Sequence, residues 1–126
     1  MIGDPVSHSR SPAMHNAAFR TLGLDLVYVA LRVAPADLRR AIVGVRALGF
    51  VGLNVTVPHK ERIVSLLDEL TPRAREIGAA NTVYRKGEAL IGDNTDGEGF
   101  RRTLGELRAS PRGKRVLVLG AGGSAR

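Results

Sequence analysis

Residues 54–61 read NVTVPHKE, and the fold is decided by how this stretch is read. Val55, Thr56 and Val57 are β-branched, the side-chain type that fits a pleated, half-buried surface. With Val51, Gly52 and Leu53 ahead of them they predict a strand over 51–57. Pro58 offers no ladder donor, so the strand ends there. Lys60 then stands at the strand's mouth, although only three of the chain's 19 basic residues are lysines. A lysine placed where arginine is the habit asks for a chemical reason.

Outward from this stretch, helical and strand patterns alternate. Upstream, SRSPAMHNAAFRTLGL predicts a helix with Ser11 as N-cap and Pro12 at the first helical position, where a missing N–H costs nothing. Met14, Ala17, Ala18 and Leu22 form its apolar stripe and Gly23 its stop. LVYVALR, 26–32, reads as a strand expected beside 51–57. A second helix opens at Pro35, turns Leu38, Ile42, Val45 and Leu48 to one side, and stops at Gly49.

Downstream, 59–70 reads as a helix with Ile63, Leu66, Leu67 and Leu70 inward. Thr71-Pro72 starts a short helix that ends at Gly78. NTVYRKGEALIGD predicts a hairpin about Lys86-Gly87-Glu88. A helix from Asp96 carries Phe100, Leu104 and Leu107. The pattern predicts an α/β chain, a three-layer sandwich with helices on both faces of the sheet.

SPRGK, 110–114, is a polar linker and the expected domain boundary: 1–110 as one domain, 111–126 as the start of another. Beyond it, RVLVLGAGGSAR runs an apolar strand into Gly120, Gly122 and Gly123. Glycines after a strand permit a tight turn and let backbone N–H groups approach a pyrophosphate at a helix start, as in a Rossmann unit. The strand at 115–119 is expected to lie apart from the main sheet.

Composition bounds the chemistry. The 126 residues, 44% hydrophobic and 25% charged, are enough to bury one core. Without cysteine there is no disulfide, thiolate nucleophile or cysteine-held metal. His8, His15 and His59 fit no metal spacing. No apolar run nears the roughly 20 residues of a membrane span, and MIGDPVSHSR lacks a signal peptide's pattern, so a cytoplasmic protein is expected. A net charge of +7 raises nucleic acid as a partner. Three Phe, two Tyr and no Trp offer few stacking platforms, and no nucleic-acid motif is present. A small anion draws on basic surface equally well.

The polar clusters carry two readings each. Ser7, Ser9 and Ser11 alternate, so in extended chain their hydroxyls point one way, toward a polyol; otherwise they cap a helix and line a loop. Asn81 in GAANTV is either a turn former or a ligand contact. In GDNTDGEGF, Asp93 and Asp96 have D-x-x-D spacing, and Asp96 could simply cap the helix that follows. The remainder of a calcium loop is missing.

Five motifs in order, PVSHSRSP, NVTVPHKE, GAANTV, GDNTDGEGF and VLVLGAGGSAR, resemble shikimate dehydrogenase across essentially the whole chain. The resemblance is to that family's substrate domain followed by the opening of its NADP-binding Rossmann domain. It leads us to expect truncation at both ends, with the first strand ahead of Gly3 and the C-terminal half missing.

The family reaction is the reversible NADP-dependent reduction of 3-dehydroshikimate to shikimate, a step toward the aromatic amino acids. By resemblance, Lys60 and Asp96 are the catalytic pair. Ser9 and Ser11 hold the substrate carboxylate, and Thr56, Asn81 and Asp96 bond its ring hydroxyls with Lys60 shared. Gly120, Ala121, Gly122, Gly123 and Ser124 form the NADP pyrophosphate loop.

This supplies the reason for the lysine. Hydride reaching a carbonyl carbon leaves an alkoxide that needs a proton donor within hydrogen-bond reach. A free lysine titrates at roughly 10.4 and carries that proton at neutral pH, whereas arginine does not release its own. The Lys60 ammonium and Asp96 carboxylate are therefore expected within hydrogen-bond reach. The resemblance implies no metal, nucleic acid or membrane, and leaves a homodimer open. Two further readings remain: a quinate/shikimate dehydrogenase using NAD, and a chain that is inactive by itself for want of a nicotinamide site.

Overall fold

The computed structural model describes residues 1–123 and Ala125. Its elements, in order, are β1 (Ile2–Gly3), α1 (Ser11–Thr21), β2 (Leu31–Arg32), α2 (Leu38–Ala47), β3 (Gly52–Asn54), β4 (Glu69–Leu70), α3 (Pro72–Ile77), β5 (Thr82–Lys86), β6 (Ala89–Asp93) and α4 (Asp96–Glu106). Single 3₁₀ segments stand at Pro35–Asp37 and Arg62–Leu66.

The hairpin is where the sequence places it, β5 pairing antiparallel with β6 from Thr82↔Asp93 to Lys86↔Ala89. It forms the middle of a four-stranded sheet, order β3-β5-β6-β4, in which β4 alone runs parallel to its neighbour. Alternation along β3 and β5 divides the sheet's two faces. Leu53, Val83 and Leu90 point to one side and, with Ile2, Val55, Ile63 and the α2 residues Leu38, Ile42 and Val45, make the core. Asn54, Thr82 and Asp93 form a cross-strand row on the other side. The apolar face stabilises the domain and leaves the polar face free for chemistry.

β1 joins two sheets. Ile2 pairs in parallel with Leu31 and, on its other side, bridges Val55. Strands 26–32 and 51–57 are therefore not direct neighbours as expected, because the chain's first residues lie between them. Of 26–32 only Leu31–Arg32 is paired strand. Residues 26–30 carry no assigned strand, and at Tyr28 a side chain takes a partner strand's place: Tyr28 N–H donates to Asn16 Oδ1 at 2.7 Å, and Asn16 Nδ2 donates to the Tyr28 carbonyl at 2.9 Å.

Three helix readings also need correction. In α1 no residue is fully buried; Met14 and Leu22 are exposed, and the half-buried side carries Ser11, His15, Asn16 and Phe19. A ring stack of His15 on Tyr28 sets that face. Ser11 is the first helical residue and not the cap; its N–H donates to Ser9 Oγ at 3.2 Å. In place of a helix over 59–70 there is a 3₁₀ turn and then β4, because the Asp68 N–H and carboxylate lock onto Leu90 at the sheet edge. Leu48 is exposed, one turn beyond the core face of α2.

α3 follows its sequence signals closely. Thr71 Oγ1 accepts from the Ala74 N–H, and Gly78 closes the helix at φ 72°, a left-handed position suited to glycine. α4 also starts at Asp96, with Phe100 and Leu107 exposed. Among the described residues the expected strand at 115–119 pairs with no strand, and Val116 to Leu119 are exposed. An apolar strand of this kind is buried only between partner strands.

Candidate active site

The site is assembled where three chain reversals meet: the turn after β3, the α3–β5 junction and the β6–α4 junction. Lys60 is carried by the turn that Pro58 begins. Its carbonyl accepts the Ala80 N–H at 2.8 Å, which ties the turn to the residue before Asn81. Beside it, His59 is fully buried, with Nε2 donating to the Val33 carbonyl at 2.8 Å, so it anchors the turn and contributes no exposed group.

Asp96 opens α4, and its N–H donates to Asn94 Oδ1 at 3.0 Å. Asn94 is 2% exposed and spends its own amide hydrogen on the Ala79 carbonyl. The D-x-x-D spacing thus serves two different networks. Asp93 points under the site, where Arg73 grips both oxygens and Thr71 Oγ1 donates at 2.6 Å. Arg73 holds the Asp93 carboxyl well below the usual carboxylate range; burial opposes this, while Thr71 and the Asn94 N–H add to it.

Lys60 Nζ donates to Asp96 Oδ2 at 2.7 Å. Asn81 Nδ2 donates to the other oxygen, Oδ1, also at 2.7 Å. Asn81 is no mere turn former: its Oδ1 accepts from the Thr95 N–H at 3.0 Å and from Thr82 Oγ1 at 2.9 Å. The Lys60 side chain is 12% exposed and that of Asp96 38%, so the ammonium sits inside the wall while the carboxylate faces the opening. An ammonium so aimed can pass a proton to an oxygen that develops charge at this opening.

Thr56 stands between the sheet and this turn, its N–H on the Ile2 carbonyl and its carbonyl receiving the His59 N–H. Gly3 lies so close that a Cβ there would collide with the Thr56 methyl. Ser9 and Ser11 line the start of α1; Ser9 Oγ donates to Met1 Sδ at 3.0 Å and accepts the Ser11 N–H at 3.2 Å. Behind the Lys60–Asp96 pair stand two residues not named as site residues from the sequence, Tyr28 and Asn54. Tyr28 Oη donates to Asn54 Oδ1 at 2.7 Å, and Asn54 Nδ2 approaches the Asn81 carbonyl and Thr82 Oγ1 at 3.4 and 3.5 Å. An asparagine between Leu53 and Val55 was the available signal, since an inward-reading strand had no use for it.

The glycine turn lies against Lys60. Val57, Pro58, Lys60, Leu119, Gly120 and Gly122 line a cleft of about 450 Å³. Gly120, at φ 114°, has open space where a side chain would be, and a Cβ on Gly123 would stand 2.9 Å from Lys60 Cβ. Ala121 lies between these glycines; Ser124 falls outside the described residues. Bare backbone facing a cleft suits the phosphates of a dinucleotide. Among the described residues no acidic or histidine cluster could hold a metal, and no helix is long and apolar enough to cross a membrane.

Residues 1–83 match the model of the shikimate dehydrogenase substrate binding domain. The chain is 58% identical over 127 residues to shikimate dehydrogenase (NADP(+)) of Geobacter metallireducens, covering 100% of this chain and 44% of that protein. Among solved structures, shikimate dehydrogenase 1 from Peptoclostridium difficile superposes with a TM-score of 0.95 at 35% identity, over 98% of this chain and 46% of the other. The Thermus thermophilus enzyme in complex with NADP(H) and shikimate gives 0.87 at 42% identity, over 98% and 47%. The chain spans less than half the length of the relatives it matches. Through residues 1–83, and through relatives aligned along its full length, the protein belongs to the shikimate dehydrogenase family.

Proposed function

We propose that this chain is the substrate-binding part of an NADP-dependent shikimate dehydrogenase, acting in the reversible reduction of 3-dehydroshikimate to shikimate. The observation that carries the reading is the Asp96 carboxylate, shared between Lys60 and Asn81 at 2.7 Å each. In the reducing direction Lys60 gives its proton to the oxygen formed from the carbonyl; in the oxidising direction it takes that proton back. Asp96 keeps the ammonium charged and aimed. Asn81 and Thr56 bond the ring hydroxyls, and Ser9 and Ser11 the carboxylate.

The backbone of Gly120, Ala121, Gly122 and Gly123, with Ser124, would hold the pyrophosphate of NADP. When bound, NADP supplies or accepts the hydride. The 126 residues alone bind substrate without turning it over, in the cytoplasm by this reading.

Titration calorimetry of shikimate into the 126-residue chain tests this. Saturable binding that weakens about tenfold or more in Asn81→Ala is expected, as for the loss of a well-placed polar contact. A wild-type chain indifferent to millimolar shikimate would sink the proposal.

A further inference from the structure

The three glycines of the turn after 115–119 lack a side chain for different reasons. Gly120 lies at φ 114°, where a Cβ would strain the backbone. Gly122 and Gly123 stay outside the left-handed region, so their backbone would accept alanine. Among the described residues, a Cβ at Gly122 would meet nothing nearer than Glu61 Oε1 at 3.9 Å. At Gly123 it would meet Lys60 Cβ at 2.9 Å, Ala79 Cβ at 3.4 Å and Glu61 Cγ at 3.5 Å. Access for a phosphate explains bare backbone on a cleft wall. It does not explain a glycine pressed against the turn that carries Lys60.

The surface under Gly123 is braced. The Lys60 carbonyl accepts the Ala80 N–H at 2.8 Å, and the Ala79 carbonyl accepts from Asn94 Nδ2 at 3.0 Å. Ala79 and Ala80 are fully buried. These bonds join the Lys60 turn, the α3–β5 junction and the β6–α4 junction into one block, which also sets Lys60 against Asp96. Residues 115–119 pair with no strand among the described residues, so the glycine turn is the side that yields. We propose that Gly123 is a positioning residue: its missing side chain seats the glycine turn on the Lys60 turn and fixes the distance between the two. The inference rests on the reading of Lys60 as the acid–base group of a shikimate site.

That distance matters because proton and hydride must meet on one carbon–oxygen bond. The proton is held by Lys60; the hydride comes from a cofactor whose phosphates the glycine turn would anchor. Carbon atoms in ordinary contact stand about 3.5–4.0 Å apart, so Gly123→Ala should lift the turn by roughly 1 Å. A misplacement of that size can cost about 10²-fold in rate. The backbone N–H that would face a phosphate is kept, so the grip on the cofactor should change much less.

Two measurements test this. In the 126-residue chain, the amide resonances of Lys60, Glu61 and Ala79 should shift in Gly123→Ala and stay in place in Gly44→Ala, whose Cβ would meet nothing within 4 Å. In a chimera with the C-terminal part of the Geobacter metallireducens relative, Gly123→Ala should lower kcat for shikimate oxidation roughly 10–100-fold. The KM for shikimate, and the Kd for NADP+ by titration calorimetry, should change far less.

Unmoved resonances would show that the turn is not seated on Lys60 and would overturn the inference, leaving the site reading intact. So would an unchanged kcat, or a weakening of NADP+ binding large enough to account for the whole loss of activity. A wild-type chimera unable to oxidise shikimate would remove the site reading and the inference with it.

Discussion

Asn94 holds Asp96 by its backbone and not by its carboxylate: the Asp96 N–H donates to Asn94 Oδ1 at 3.0 Å, while both carboxylate oxygens remain for Lys60 and Asn81. A buried amide thus sets where the carboxylate starts. Asn94→Ala strands the Asp96 N–H and the Ala79 carbonyl together. Unfolding in urea should report a loss of about 1–3 kcal/mol, the cost of leaving buried polar groups unmade. A midpoint equal to wild type would show that water replaces the amide without penalty.

The lysine requirement is testable in a chimera joining residues 1–126 to the C-terminal part of the Geobacter metallireducens relative. Lys60→Ala should lower kcat for shikimate oxidation roughly 10²–10⁴-fold, the range for a positioned acid–base group, with KM changed far less. Lys60→Arg should fail nearly as badly, because it keeps charge but not proton transfer. Retained kcat in Lys60→Arg would assign the residue to electrostatic attraction alone.

Acid should loosen the fold through Asp93. Its folded-state pKa lies well below the ordinary 3.8, so its contribution is complete above that value and is lost as pH falls through the folded one. Stability should therefore decline on acidification below about pH 4. Asp93→Asn should be less stable at neutral pH and show a shallower decline. Some slope should persist, since Asp68 beside Arg46, and Glu98 at about 2 beside Arg101 and Arg102, are lowered too. Parallel stability–pH curves for the two proteins would exclude Asp93 as a source.

Gly92 sits in β6 directly beside Leu70 of β4. A Cβ there would stand 2.5 Å from Leu67 Cδ1 and 2.8 Å from Leu70 Cδ2. Gly92→Ala should cost about 1–3 kcal/mol by overpacking, read as a lower urea midpoint. A neutral result would mean that the two leucines repack freely.

Local chemistry was legible in the sequence and long-range partnership was not. Thr71-Pro72, Gly78 and the Lys86-Gly87 turn act through neighbours a few residues away, so their elements appear where expected. Lys60 and Asp96 were placed together by motif resemblance, and the described structure has them bonded. The helix expected over 59–70 failed because its apolar spacing suits a 3₁₀ turn plus an edge strand equally well, and Leu90 decides between them. Tyr28 and Asn54 were passed over as strand residues, since only the folded row Asn54, Thr82, Asp93 reveals that this face is polar.

Two adjacent amides record the order in which the domain can be put together. Val55 donates to the Asn81 carbonyl, on the hairpin side, whereas Thr56 donates to the Ile2 carbonyl. The hairpin closes over a short loop; β1 must meet partners near residues 31 and 55, and the entropy of closing those loops comes first. Residues 2 and 3 are thus among the last to find their place, and the sheet stays divided until they do. Pulse-labelling hydrogen exchange during refolding should protect Val55 before Thr56, and simultaneous protection of the two would mean that β1 belongs to the folding nucleus.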